Sequence, residues 1–129
     1  AFGIGTLLQI NKKLFAPQSL IICPTRELAQ QVVNELKLLA KFTQNIKITT
    51  LTGGTSLTRQ VYSLKHGTHI LVGTPGRLID HLSRQNIQIE HIKTLILDEA
   101  DKMIEMGFME QLETILNYLP KEKQTLLFS

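Results

Sequence analysis

Five short apolar runs recur along this 129-residue chain, and every gap between them carries hydrophobic residues at helical spacing. Residues 19–23, 46–51, 70–72, 94–97 and 125–128 read as strands. Leu28, Val32, Leu36 and Leu39 mark the first helix face, and Leu57, Val61 and Leu64 the second. Leu78 and Leu82 mark a third, and Leu112, Ile115, Leu116 and Leu119 a fourth that Pro120 stops. Parallel strands need a long crossover, usually a helix, so this alternation predicts an α/β fold. The expected form is a mostly parallel sheet with helices on both faces.

Composition is consistent with one packed domain, at 43% hydrophobic and 19% charged residues. No apolar run is long enough to span a bilayer, and no secretory signal opens the chain. The single Cys23 excludes an internal disulfide and suits a reducing cytoplasm. A net charge of +3 permits a polyanion partner without arguing for one. With no Trp and 5% aromatics, an aromatic base-stacking platform is not expected. His66, His69, His81 and His91 are scattered and lack zinc spacing with Cys23. Gly3-Ile4-Gly5 is only part of a dinucleotide-binding pattern, because Leu8 holds the last glycine position and no strand precedes it.

Ligands of parallel sheets bind at the carboxyl ends of the strands, and the unusual polar residues of this chain fall there. The runs lead in turn into Pro24-Thr25-Arg26-Glu27, Thr52-Gly53-Gly54-Thr55, Gly73-Thr74-Pro75-Gly76-Arg77 and Asp98-Glu99-Ala100-Asp101. In the last, an acid at a strand end is placed to hold magnesium on a nucleotide's phosphates, and a second acid beside it can take a proton from an attacking water. Thr74 is a favoured N-cap and Pro75 a favoured first helical residue. Arg77 then sits in a first turn rich in free amides, a ready phosphate site. Thr25 and Arg26 repeat that design, and Gly53-Gly54 allows close backbone approach. Taken singly, each has a plainer reading: a solvated acidic turn, two capped helices with exposed arginines, and an ordinary glycine turn.

Together these motifs resemble the DEAD-box family of ATP-dependent RNA helicases. Asp98-Glu99-Ala100-Asp101 spells the family's name motif, and Asp101 in place of His separates it from the DEAH relatives. Residues 24–31, Gly53-Gly54 and residues 74–77 match three further motifs in the expected order, and Met106-Gly107-Phe108 and residues 124–129 also fit. The resemblance covers nearly the whole chain. It implies a RecA-like P-loop NTPase domain, with residues 1–129 forming part of the first of two such domains. ATP and Mg2+ are the implied cofactors. Asp98 would hold magnesium through water, and Glu99 would orient and deprotonate the attacking water. Asp101 would link the nucleotide and RNA sides, and Ser129 would begin the Ser-Ala-Thr motif at the nucleotide site. Pro24, Thr25, Arg26, Gly53, Gly54, Thr74, Gly76 and Arg77 would grip the backbone of one RNA strand, largely without reading sequence.

A G-x-x-x-x-G-K-[ST] loop is absent from the chain. In the family it lies just before residues similar to Ala1-Phe2-Gly3, so the domain is expected to be incomplete at both ends, and a piece lacking that loop to hold ATP poorly. Two other functions remain open at this point. A non-catalytic RNA-binding module would also lack the loop. Another P-loop ATPase, such as a DNA helicase or transporter motor, would not need Asp101 or residues 74–77.

Overall fold

The computed structural model describes residues 3–42 and 45–129. Its sheet has five strands: β1 (Ser19–Ile22), β2 (Ile48–Leu51), β3 (Ile70–Gly73), β4 (Thr94–Leu97) and β5 (Gln124–Leu127). They lie in the order β2-β3-β1-β4-β5, and every pairing is parallel. Among the described residues six helices accompany them: α1 (Gly3–Leu8), α2 (Arg26–Ala40), α3 (Leu57–Lys65), α4 (Pro75–Ser83), α5 (Ala100–Glu105) and α6 (Met109–Tyr118). The predicted α/β architecture is therefore present.

Strand side chains alternate between faces, so each apolar run feeds two cores. Leu20, Ile22, Leu71, Leu95 and Leu97 face one side with Leu78 and Leu82 of α4, Met103 of α5 and Ile115 of α6. Ile21, Cys23, Ile70, Val72 and Ile96 face the other with Ala29, Val32, Val33 and Leu36 of α2 and Leu7 of α1. All four residues of β1, β3 and β4 are buried, whereas three of the four in the edge strand β5 are exposed. Burying one large aliphatic side chain contributes about 1.5–3 kcal/mol, so the three central strands carry most of the hydrophobic stabilisation.

Three local details depart from expectation. The run at 46–51 joins the sheet only from Ile48. Lys47 N–H donates instead to His69 Nδ1 (2.9 Å), and its carbonyl accepts from the backbone N–H groups of His69 and Ile70, which anchors the entry to β2. Helix α5 follows the acidic turn directly, where hydrophobic spacing gave no signal. Gly73 lies within β3 and is buried. A Cβ there would stand 2.7 Å from Leu51 O and 2.8 Å from Leu78 Cγ, so its lack of a side chain lets α4 start close against the sheet.

Candidate functional site

Because the strands are parallel, the loops after them share one edge. α2 leaves β1 toward one face, while α4 and α5 leave the neighbouring strands β3 and β4 toward the other. Ligands of such sheets favour places where chains depart to opposite faces, and the end of β1 is such a place.

On the β3 side lies a groove of about 410 Å³. It is lined by Pro24, Thr25, Arg26 and Glu27 after β1, Gly53 after β2, Thr74, Pro75 and Gly76 at the start of α4, and Phe108. Thr25 caps α2 as expected, its Oγ1 accepting from Leu28 N–H at 3.2 Å. Arg26, the first residue of that helix, keeps 60% of its side chain exposed and has only a long 3.8 Å pair with Glu27. Exposed pairs of that kind contribute little, so its guanidinium is free to meet an anion. Gly54 has φ +84°, and the Arg26 guanidinium lies so close over it that an added Cβ would collide with Nη1. Thr74 corrects a sequence expectation. It occupies the N-cap position of α4 with extended backbone, yet its hydroxyl makes no capping bond. Instead its N–H donates to Leu51 O (3.2 Å), which ties it to β2, while Pro75 begins the helix without a donor to cap.

Arg77 is not among the groove-lining residues. Its Nη1 donates to Thr55 O (2.9 Å) and Gln60 Oε1 (3.1 Å), its Nε lies 3.9 Å from Asp80 Oδ2, and only 19% of the side chain is exposed. Three residues in or behind the groove were not among the sequence's candidate site residues, although Phe108 falls in the family-like Met106-Gly107-Phe108. Phe108 lines the groove from the start of α6, and Gln60 and His81 sit in the polar cluster behind it.

On the β4 side are the two acids. Asp98 N–H donates to Ile22 O (3.0 Å) and Ala100 N–H to Phe128 O (2.8 Å), so the turn is pinned to β1 and to the end of β5. Between them Glu99 adopts a left-handed conformation, φ 58° and ψ 48°. Non-glycine residues there cost about 1–3 kcal/mol and cluster at functional sites. Burial pushes the Asp98 carboxyl above the ordinary carboxylate range, and the charges of Glu99 and Glu35 push the same way, against a backbone hydrogen bond at Glu99. Beneath this turn Cys23 is fully buried. Burial, with Asp98 and Glu99, pushes its thiol up to about 12, so it is protonated and no nucleophile. Asp101, exposed in the first turn of α5, accepts from Lys102 N–H (3.0 Å). Ser129 follows β5 at the same edge.

The donor set suits a nucleotide-borne cation. Among the described residues no group of three or more His, Cys, Asp or Glu could cage a metal. Half-buried Asp98, with Glu99 beside it, would fit magnesium, which keeps its waters and takes few protein ligands. No helix of the described residues is long and apolar enough to cross a membrane.

Comparison with known proteins agrees. The family model for DEAD/DEAH box helicases matches residues 1–129. The chain is 50% identical over its full length to ATP-dependent RNA helicase DbpA of Escherichia coli, and 47% to ATP-dependent RNA helicase CshA of Listeria monocytogenes. It spans 28% and 25% of those relatives. Among solved structures, a DEAD box protein from the hyperthermophile Methanococcus jannaschii superposes with TM-score 0.93 at 42% identity, over 99% of this chain and 34% of that one. A variant of S. cerevisiae Dbp5 bound to RNA and ADP BeF3 superposes with TM-score 0.86 at 31% identity, over 99% of this chain and 32% of that one. With its acidic turn, its rim loops and its RecA-like sheet, the chain belongs to the DEAD/DEAH box helicase family.

Proposed function

We propose that the protein carrying this chain is an ATP-dependent RNA helicase, and that this chain is part of the first of its two RecA-like domains. The observation that carries the reading is what flanks the end of β1, an acidic turn on its β4 side and a groove on its β3 side. The turn carries Asp98 and Glu99, and the groove is lined by an exposed Arg26, Gly53 of the glycine loop and a helix start. A single strand thus adjoins both sites.

Asp98 is the residue to hold Mg2+ through water, which relieves its unfavourable negative surroundings. When bound, that ion neutralises charge on the phosphates of ATP. Glu99 is the base, positioned by a backbone conformation that its pinned neighbours enforce, and it would orient the attacking water and take its proton. Asp101 and Ser129, on the same edge, are assigned the coupling and nucleotide roles, and the second RecA-like domain of the parent protein is the proposed partner. On the β3 side Pro24, Thr25, Arg26, Gly53, Thr74 and Gly76 of the groove receive RNA backbone, with Gly54 and Arg77 in the same rim. The uncapped first amides of α4 and the positive end of its dipole favour phosphate. Such contacts position the strand without reading its sequence. The cytoplasm is the proposed compartment, in keeping with RNA as partner and a lone free cysteine.

Glu99→Gln in the full-length protein tests the catalytic half. Glutamine keeps the shape and loses the base, so RNA-stimulated ATP hydrolysis should fall roughly a hundredfold or more while nucleotide binding persists. Turnover within a few-fold of wild type would remove Glu99 from this role.

A further inference from the structure

Behind the groove a buried hydrogen-bond chain joins the loop after β2 to α4. Gln60 of α3, 3% exposed, is its centre. Its Nε2 donates to Thr52 O (2.9 Å), and its Oε1 accepts from His81 Nε2 (2.8 Å) and Arg77 Nη1 (3.1 Å). Arg77 Nη1 also donates to Thr55 O (2.9 Å). His81 is fully buried on α4, and Asn86 Nδ2 donates to its Nδ1 (3.1 Å), which puts the ring proton on Nε2, facing Gln60. The loop is therefore held at both ends, at Thr52 by Gln60 and at Thr55 by Arg77. Gly53 and Gly54 lie between those anchors, and Gly53 lines the groove across from Thr74 and Gly76.

We propose that Gln60 and His81 are positioning residues of the RNA-backbone rim: with Arg77 they set the distance between the Gly53-Gly54 loop and the start of α4, and hence the width of the groove. The inference rests on the RNA-backbone reading above. It makes Arg77 a brace acting from behind the groove instead of a phosphate contact. Packing alone does not account for the cluster. An apolar trio would fill the same space without the desolvation cost of an amide, an imidazole and a guanidinium. The two carbonyls on which the chain ends, Thr52 O and Thr55 O, both belong to the rim loop.

Braces and phosphate contacts differ in salt dependence. The loop and the helix start offer uncharged backbone groups, so displacing them weakens RNA binding without changing counterion release. Loss of a cation that touches phosphate lowers the slope of log affinity against log salt by about 0.7 on a single strand. The experiment titrates a fluorescent single-stranded oligoribonucleotide into the full-length protein at several salt concentrations. The proteins compared are wild type, Gln60→Leu, Arg77→Ala, the Gln60→Leu/Arg77→Ala double variant, Arg77→Lys and Arg26→Ala. Gln60→Leu should weaken binding roughly tenfold with the slope unchanged, since it severs three bonds at once. Arg77→Ala should add less than roughly twofold in the Gln60→Leu background, because the two act through one network. Arg77→Lys keeps the charge, but its shorter side chain does not carry a donor to the place of Nη1, the one nitrogen that bonds both Thr55 O and Gln60 Oε1. It should fail as Arg77→Ala does, and it carries the test if Gln60→Leu does not fold. Arg26→Ala should lower the slope.

Wild-type affinity in Gln60→Leu overturns the proposal. So does an Arg77→Ala loss that is equal in both backgrounds, lowers the slope and is rescued by lysine. If Arg26→Ala weakens binding while Gln60→Leu and Arg77→Lys do not, the brace is wrong and the rim reading stands. If none of the variants affects binding, the RNA-backbone reading fails and the brace with it.

Discussion

Gly54→Ala isolates one seat in the rim. At φ +84° an alanine pays about 1–2 kcal/mol for the left-handed region. Removing glycine's freedom from the unfolded chain returns about 0.4–1 kcal/mol. The steric neighbour is the tip of Arg26, whose side chain is 60% exposed and swings away cheaply. The net loss should be about 1 kcal/mol, a fall of about 3–5 °C in the melting temperature of this domain. The displaced guanidinium is the cationic group lining the groove, so RNA affinity should fall roughly three- to tenfold at low salt as a phosphate contact is loosened. Gly53→Ala is the internal control. Nothing lies within 4 Å of its added Cβ and its φ is not positive, so stability should change by less than about 0.5 kcal/mol. Its methyl nevertheless enters the groove, and RNA binding should weaken. Calorimetry and RNA titration on both variants give the comparison. A Gly54→Ala protein with wild-type melting and wild-type RNA affinity would refute the idea that Arg26 is seated on Gly54 in the working site.

Two further outcomes follow from the same edge. Asp98→Asn should stabilise the nucleotide-free protein at neutral pH: the native carboxyl is raised above its unfolded value, so the stability it contributes is complete below the unfolded pKa and is lost as pH rises through the folded one. Melting curves at pH 7 and near pH 3 should show the advantage only at the higher pH, and a variant less stable than wild type at pH 7 would contradict the assignment. Gly73→Ala should cost about 1–3 kcal/mol by forcing α4 away from β2, whereas Gly76→Ala meets nothing within 4 Å, and equal melting temperatures for the two would show that the close packing at Gly73 is unimportant.

Much of the fold was legible in sequence because its signals are local. Runs such as Leu95-Ile96-Leu97 are apolar on both faces, which only a strand covered on both sides requires, and helical spacing between runs implies crossovers. Thr25 announced its cap, since a threonine oxygen reaches the third amide onward wherever a helix starts. At Thr74 the same rule placed the N-cap correctly but not a hydroxyl bond, and the backbone there is tied to β2 instead.

Residue order by itself determined that this chain is an α/β domain, that its polar motifs stand at strand ends, and that the motifs are those of a DEAD-box protein. Tertiary structure alone decided which ends are neighbours. The order β2-β3-β1-β4-β5 puts the acids on one side of β1 and the groove on the other, although the segments concerned are far apart in the chain. It also turned Arg77 inward to Thr55 and Gln60 and left Arg26 outside. Both are arginines in the first turn of a helix. Whether such a side chain meets solvent or a carbonyl depends on what the neighbouring loop offers within about 3 Å, and that is a property of packing rather than of local sequence.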